Sequence, residues 1–110
     1  MHIHLGNAEI NPGQWDLIYG HSGNAKLELG DYPGAIADYT RAIEINPEDD
    51  QSYFYRGNAK FEAGDYRGAI ADYTKLIGIH PGDDHAYFNR GSAKFESGDY
   101  PGAIADYTRQ

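Results

Sequence analysis

Apolar and small residues recur every three or four positions along most of this chain, which is the spacing of one helix face. Two kinds of helix follow from the pattern, a narrow one and a broad one. The narrow stripe comprises Tyr53, Gly57, Ala59 and Lys60. The broad stripe comprises Ala35, Ile36, Tyr39, Ala42 and Ile43. The chain therefore alternates between a first helix with little apolar surface and a second helix with a wide apolar face.

Residues at the ends of these segments predict where each helix starts and stops. The first helices are expected to be capped by Asp16, Asp50 and Asp84, and the second by Asp31, Asp65 and Asp99. Gly30, Gly64 and Gly98 follow the first helices, in the position that favours a left-handed residue. Pro33 and Pro101 suit the first turn of the second helix, which ends before Pro47 or Pro81.

Two further sets of residues predict how the helices pack. Gly23, Gly57 and Gly91 lie inside the first helices, where glycine is tolerated if another helix approaches closely. We expect Ala35, Ala69 and Ala103 to be the small residues opposite them. Tyr32, Tyr66 and Tyr100 are expected to wedge between neighbouring units.

One sequence unit occurs three times in the chain, at a spacing of 34 residues. The segment GDYPGAIADYTR occupies Gly30–Arg41 and Gly98–Arg109, and GDYRGAIADYTK occupies Gly64–Lys75. The units are 16–49, 50–83 and 84–110, the last ending within its second helix. Repeats of this period build stacked helical pairs, which form an extended surface rather than a catalytic pocket.

Residues 1–15 do not form a full unit. Glu9 to Pro12 copy the end of a second helix, so the segment is interpreted as a compressed remnant of an upstream unit. It would cap the first unit through Ile3, Leu5, Ile10 or Trp15. A frayed terminus is the alternative.

The net charge of −8 argues against nucleic acid, which requires clustered Lys and Arg. It favours a neutral or basic protein partner, although solubility alone explains it equally well. No apolar run is long enough to span a membrane, and residues 1–13 are not expected to act as a signal peptide because they lack a basic region followed by an apolar stretch. The chain has no cysteine, which leaves the compartment open, and a cytoplasmic location is the expectation.

No set of residues predicts catalysis or a cofactor. The serines lack the context of a nucleophile elbow, and the glycines follow the repeat rather than a phosphate loop. His2 and His4 lie near the terminus, and His80 and His85 flank the acidic turn PGDD. Aspartate and glycine are ordinary turn residues, so no dedicated metal site is expected.

The repeated pattern resembles the tetratricopeptide repeat. The matching residues of the middle unit are Tyr53, Gly57, Ala59, Gly64, Tyr66, Ala69, Tyr73 and Pro81. The resemblance implies an all-α, right-handed superhelix of stacked antiparallel helix–turn–helix repeats. Two positions of the repeat depart from the family. At the first, the family usually has Leu, and this chain has Ser22, Arg56 and Arg90. At the second, the family usually has Tyr, and this chain has Lys26, Lys60 and Lys94. The lysine stems are expected to cover apolar surface while their charges point outward. The amino-acid sequence of the repeat is similar to that of repeats in bacterial, notably cyanobacterial, proteins.

The resemblance also implies a concave face lined by the first helices, which in this family holds peptides. The face would present Leu17, Gly20, His21, Asn24, Leu27 and Glu28 from the first unit. It would present Gln51, Phe54, Tyr55, Asn58, Phe61 and Glu62 from the second, and His85, Phe88, Asn89, Ser92, Phe95 and Glu96 from the third.

Within this face, Asn24 and Asn58 are expected to bond a ligand main chain as both donor and acceptor. The acidic column of Glu28, Glu62 and Glu96 favours a ligand with Lys or Arg. We expect Phe54 and Phe88 to line the groove and Phe61 and Phe95 to pack in the core.

One group within the family grips acidic C-termini with a clamp of Lys, Asn, Asn, Lys and Arg. The matching positions here are Gly20, Asn24, Tyr55, His85 and Asn89, of which only Asn24 agrees. Without fixed cations, capture of an acidic C-terminus is not expected.

The sequence therefore predicts a non-enzymatic protein-interaction module that holds a peptide in its concave face. The alternative is a self-assembling element, with Ala103, Ile104 and Tyr107 left exposed on the last helix and joined to a sister chain by stacking or helix exchange. A fragment of a longer array would leave the same residues exposed.

Overall fold

The computed structural model describes residues 3–5 and 8–109. Its helices are α1 Trp15–Glu28, α2 Tyr32–Ile45, α3 Asp50–Glu62, α4 Tyr66–Ile79, α5 Asp84–Glu96 and α6 Tyr100–Tyr107. They pack as a first (α1–α2), second (α3–α4) and third (α5–α6) pair, and α3 and α5 each pack on the preceding pair. The molecule measures 51 × 27 × 18 Å. The expected all-α helical-repeat solenoid is confirmed.

The first helix of each pair ends as the glycines predict. Gly30, Gly64 and Gly98 have φ of 77°, 86° and 89°, in the left-handed region that side chains disfavour. After α3, the Gly64 amide donates to Phe61 O and the Asp65 amide donates to Lys60 O. These two bonds form a Schellman motif, which satisfies the last carbonyls of the helix.

The caps of the second helices are confirmed, but those of the first are shifted by one residue. Asp31, Asp65 and Asp99 accept hydrogen bonds from the amides of Gly34, Gly68 and Gly102. Asp49 and Asp83, rather than Asp50 and Asp84, cap α3 and α5. The prediction of Asp16 as a cap is also wrong, because α1 begins at Trp15, after Gln14. In runs of adjacent aspartates the local pattern does not distinguish the cap from the first helical residue.

The N-terminal segment is not a compressed helical unit, and that prediction is wrong. Strands β1 (Ile3–Leu5) and β2 (Ala8–Ile10) pair antiparallel, with Ile3 opposite Ile10, and a 3-10 turn Pro12–Gln14 leads into α1. The alternation of apolar residues with histidine in HIHL has the two-residue period of a strand. The side-chain packing expected for Ile3, Leu5 and Ile10 falls outside the described part of the chain, whereas Trp15 contacts Tyr19 at 5.8 Å between ring centroids.

Buried tyrosines of the second helices form the core, together with small residues. Ala35 and Tyr39 of α2 pack against Ala59 of α3, and Ala69 and Tyr73 of α4 repeat the arrangement with Ala93 of α5. Each core cluster therefore joins two successive helix pairs, which is how a solenoid buries apolar surface that one pair cannot cover alone.

Tyrosine rings, not the predicted alanines, face the internal glycines. A Cβ on Gly57 would lie 2.7 Å from Cε1 of Tyr73, and one on Gly23 would lie 2.7 Å from Cε1 of Tyr39. The expected wedge role of the other tyrosines also needs correction. Tyr66 is half-buried and packs on Phe61 of its own pair at 5.3 Å, and Tyr100 is 56% exposed.

The sequence analysis missed two ion clusters, one inside the second helix pair and one inside the third. The Arg56 guanidinium donates to both carboxylate oxygens of Asp72 at 2.9 and 2.6 Å, and Lys60 Nζ lies 3.2 Å from Asp72. Arg56 also donates to Thr40 Oγ1 of the preceding pair at 3.2 Å. The lysine charges therefore point inward, contrary to the prediction that they point outward.

Arg90, Lys94 and Asp106 repeat this cluster in the third pair, and Arg90 donates to Thr74. Desolvation raises the pKa of Asp106, but the hydrogen bonds from Arg90 and Lys94 outweigh it, so the net pKa lies below its ordinary value. The carboxylate of Asp106 therefore stays ionised beside Arg90 and Lys94.

The first pair lacks this arginine because Ser22 occupies its position. Lys26 Nζ lies 3.0 Å from Asp38 Oδ2, but off the direction of a hydrogen bond, and this buried oxygen has no hydrogen-bond partner among the described residues. A recurring Asp with Arg 16 and Lys 12 residues before it is the signal that could have revealed the clusters.

The predicted exposed patch on α6 is correct at two of its three positions. Ile104 is 62% exposed and Tyr107 is 44% exposed, whereas Ala103 is 2% exposed. The expectation of an exposed Ala103 is wrong because this residue is buried, as Ala35 and Ala69 are at the corresponding positions of α2 and α4.

Candidate functional site

A cavity in the described part of the chain lies on the predicted concave face and spans all three helix pairs. Its volume is about 470 Å³. The lining residues are Leu27, Tyr32, Asn58, Phe61, Glu62, Tyr73, Asn89 and Ser92. Leu27 and Tyr32 belong to the first pair, and Asn89 and Ser92 to the third, so the cavity depends on the stacking of separate repeats. We call it the main cavity.

A buried tyrosine fixes the central amide of the main cavity. Tyr73 Oη donates to Asn58 Oδ1 at 2.5 Å, and Asn89 Nδ2 lies 3.4 Å from the same oxygen. Burial, followed by the charges of Asp72 and Glu62, raises the pKa of Tyr73, which keeps its hydroxyl protonated as a donor.

This arrangement corrects the expectation that Asn58 offers a ligand both donor and acceptor. Its acceptor is already occupied, and within residues 3–5 and 8–109 its Nδ2 donates to no other group. Asn24 is held in the same way, since Tyr39 Oη donates to its Oδ1 at 2.5 Å. With respect to the part of the chain that the structure describes, Asn58 Nδ2 remains available to the main cavity as a donor and Asn89 Oδ1 as an acceptor.

A second, smaller cavity of about 40 Å³ lies on the same face toward α1. Its lining includes the predicted residues His21, Asn24 and Tyr55, with Leu17, Gly20 and Gln51 beside them. The structure thus distributes the predicted face between two cavities rather than one continuous channel.

The phenylalanines are placed differently from the sequence expectation. Phe61 is half-buried, packs against the Ala69–Tyr73–Ala93 cluster and lines the main cavity. Phe95, expected in the core, is 51% exposed, so that expectation is wrong. Phe54 is half-buried against the cluster of Tyr53, Leu76 and Ala86.

Phe88 is 61% exposed and lines a third cavity, of about 430 Å³, with Tyr107. Glu62 alone of the predicted acidic column lines the main cavity, and Glu28 and Glu96 are exposed outside it. The sequence reasoning missed Tyr32 and Tyr73 as cavity residues, because both belong to second helices and the concave face was assigned to first helices only.

Neither a metal cluster nor a membrane-spanning helix occurs among the described residues. No group of three or more His, Asp or Glu side chains there is placed to hold a metal ion. His80 Nε2 instead lies 2.8 Å from Asp50 Oδ2, while His2 lies outside the described part of the chain. No helix in the same ranges is long and apolar enough to cross a membrane.

Comparison with known proteins agrees with this architecture. A TPR-repeat family model matches residues 23–62, and a tetratricopeptide-repeat model matches residues 56–109. No curated protein matches the sequence. Taken together, the two family models span nearly all of the six helices.

Solved structures of similar fold include three well-matched domains. The first TPR of Spaghetti (RPAP3), bound to the HSP90 peptide SRMEEVD, is 27% identical with a TM-score of 0.84, over 88% of this chain and 77% of that one. The Arabidopsis OM64 TPR domain is 28% identical with a TM-score of 0.83, over 87% and 79%. MamA is 27% identical with a TM-score of 0.83, over 86% and 56%.

The stacked helical pairs, with a cavity on the face of their first helices, define a helical-repeat scaffold. The chain belongs to the tetratricopeptide-repeat family.

Proposed function

We propose that this chain is a non-enzymatic scaffold that binds a peptide, or an extended segment of a protein, in its concave face. The main cavity carries the proposal, because it joins residues of all three helix pairs around two asparagine groups, Asn58 Nδ2 and Asn89 Oδ1, that have no hydrogen-bond partner among the described residues. Half-buried aromatic rings beside these groups supply rigid contact area. Support also comes from the Spaghetti domain, which is similar in fold and is bound to a peptide.

The proposed ligand is neutral to basic, and the proposed location is cytoplasmic. The net charge of −8 favours such a ligand. The cations closest in sequence to the groove residues are engaged elsewhere, since Lys60 and Lys94 pair with Asp72 and Asp106. An anionic ligand would therefore find no free lysine of this set.

The test is a selection from a random peptide display library, followed by affinity measurement of one synthesised peptide. Asn58→Ala is expected to weaken binding about tenfold, because the amide donor for the ligand main chain is lost. Phe88→Ala changes an exposed residue of the third cavity and tests whether the ligand extends beyond the main cavity to the third pair. Fluorescence anisotropy on the labelled peptide gives both dissociation constants.

Glu44→Ala, on the exposed part of α2, is the matched control and is expected to change the affinity less than twofold. Because Asn58→Ala also removes the acceptor of Tyr73, circular dichroism must show that the variant remains folded. A selected peptide that binds both Asn58→Ala and Phe88→Ala as tightly as it binds the wild type would contradict the proposed site.

An acidic C-terminal peptide is expected not to bind. The five positions that match the acidic-terminus clamp are Gly20, Asn24, Tyr55, His85 and Asn89, and none of them is Lys or Arg. A carboxylate transferred to this face would lose its hydration without a fixed cation to replace it. We therefore expect no measurable binding of SRMEEVD, the peptide bound by the Spaghetti domain, in an anisotropy titration.

The same peptide with an amidated C-terminus is the control for contacts outside the terminal carboxylate. Low-micromolar affinity for the free acid, lost on amidation, would show that the chain captures acidic termini by another route.

Self-association through α6 is the second candidate function. Ile104 is 62% exposed and Tyr107 is 44% exposed, which places two large apolar side chains on one short helix. This candidate would be supported if light scattering showed a mass above the monomer that Ile104→Lys reduced. A monomer at high micromolar concentration would exclude it.

A further inference from the structure

The main cavity contains a single charged residue. Seven of its eight lining residues are apolar, aromatic or uncharged polar, and the eighth is Glu62. Tyr32 and Phe61 line it from different helix pairs, and Leu27 adds an aliphatic wall. A carboxylate beside aromatic and aliphatic walls suits a side chain with an apolar stem and a cationic head.

No cation of the described chain neutralises Glu62. Among residues 3–5 and 8–109, no Lys, Arg or His nitrogen lies within 4.0 Å of its carboxylate. Lys60, two residues earlier on α3, instead lies 3.2 Å from Asp72. The ion clusters therefore remove the nearest lysine from the groove and leave the carboxylate of Glu62 available.

The free amide groups lie in the same cavity as this carboxylate. Asn58 is one helical turn before Glu62 on α3, so the two side chains lie on the same face of the helix. Asn58 Nδ2 can donate to a ligand carbonyl, and Asn89 Oδ1 can accept from a ligand amide. A residue held at its main chain by these asparagines would place its side chain within reach of Glu62.

We infer that the main cavity is a subsite for one Lys or Arg side chain of an extended ligand, with Glu62 pairing the charge. The inference rests on the proposed peptide-binding function and adds its chemical specificity. The apolar stem lies along Leu27, Tyr32 and Phe61, and the cationic head meets Glu62. Asn58 and Asn89 bond the main chain of the same residue.

The test uses three small probes that contain one side chain between two peptide groups. They are the N-acetyl, N-methylamide derivatives of lysine, arginine and norleucine, the last of which keeps the stem without the charge. Titration into the 15N-labelled protein follows the side-chain amide signals of Asn58 and Asn89, which report on the main cavity directly.

The lysine and arginine probes are expected to bind about threefold to fivefold more tightly than the norleucine probe, the range of a solvent-accessible ion pair. Glu62→Gln should remove this difference. Glu28→Gln and Glu96→Gln are the matched controls, since both residues occupy the corresponding helix position but lie outside the cavity. All three glutamates are exposed, so the variants should fold as the wild type does.

Each contrary result has a distinct meaning. Equal affinity for the lysine and norleucine probes would overturn the inference while leaving peptide binding in the groove intact. A charge preference that Glu62→Gln retains would also overturn it. If the probes leave Asn58 and Asn89 unmoved while a library-selected peptide shifts them, the subsite is wrong and the proposed function stands. If neither shifts them, both are overturned.

Discussion

Asp72→Ala is expected to lower the free energy of unfolding by about 3–5 kcal/mol, which is a large share of the stability of a small domain. The carboxylate of Asp72 is 4% exposed and pairs with Arg56, which is 16% exposed, and Lys60, which is 19% exposed. Removing it leaves two largely buried cations together without a counter-charge. The loss is measured by urea unfolding followed by circular dichroism.

Asp38→Ala is the matched control for this prediction. Asp38 occupies the corresponding position of the first pair. Within the described ranges it pairs with Lys26 alone, which is 39% exposed, and one of its oxygens has no hydrogen bond. We expect a loss of at most about 1 kcal/mol, because the partly exposed Lys26 can be solvated by water once Asp38 is removed. Equal losses for Asp38→Ala and Asp72→Ala would show that Arg56 does not stabilise the interface between pairs.

Gly57→Ala is expected to destabilise the protein by about 1–3 kcal/mol, although alanine is the better helix former. The added Cβ would lie 2.7 Å from Cε1 and 3.0 Å from Cδ1 and Cζ of Tyr73. This ring is 1% exposed and its hydroxyl donates to Asn58, so moving it away would disturb core packing and weaken this hydrogen bond. The change in midpoint of urea unfolding gives the loss.

Gly78→Ala tests the same substitution where space is available. A Cβ on Gly78, near the end of α4, meets no atom within 4 Å. Stability is expected to rise by up to about 1 kcal/mol, because only the backbone entropy term remains. If Gly57→Ala were stabilising as well, the tyrosine ring would not determine the choice of glycine in the first helices.

Tyr73 belongs both to the core and to the main cavity, so the stability of the protein and its affinity for a peptide are linked. Its ring packs on Gly57, and its hydroxyl orients the amide of Asn58. A substitution that displaces the ring is therefore expected to weaken peptide binding as well as stability. The groove is rigid because its polar groups are held by residues of the core.

The architecture follows from local sequence patterns. Three near-identical copies at 34-residue spacing, with an αL glycine after each first helix and an aspartate before each second one, specify the helices locally. Helix termini depend on interactions within a few residues, so their pattern can be read without the rest of the chain. The alternation HIHL was the local signal for the N-terminal strands, which the resemblance between Glu9–Pro12 and a helix end obscured.

Partnerships between side chains, in contrast, depend on how the helices pack in three dimensions. Ala103 is buried and Phe95 is exposed. Both belong to the repeated apolar pattern, which does not by itself distinguish a buried position from an exposed one. The pairing of Lys60 with Asp72 depends on the distance between two helices, as does the bond from Tyr73 to Asn58. Glu62 differs from Glu28 and Glu96 for the same reason. Identical repeats place these glutamates at equivalent positions, but the cavity forms where three pairs meet, so only the middle one lines it.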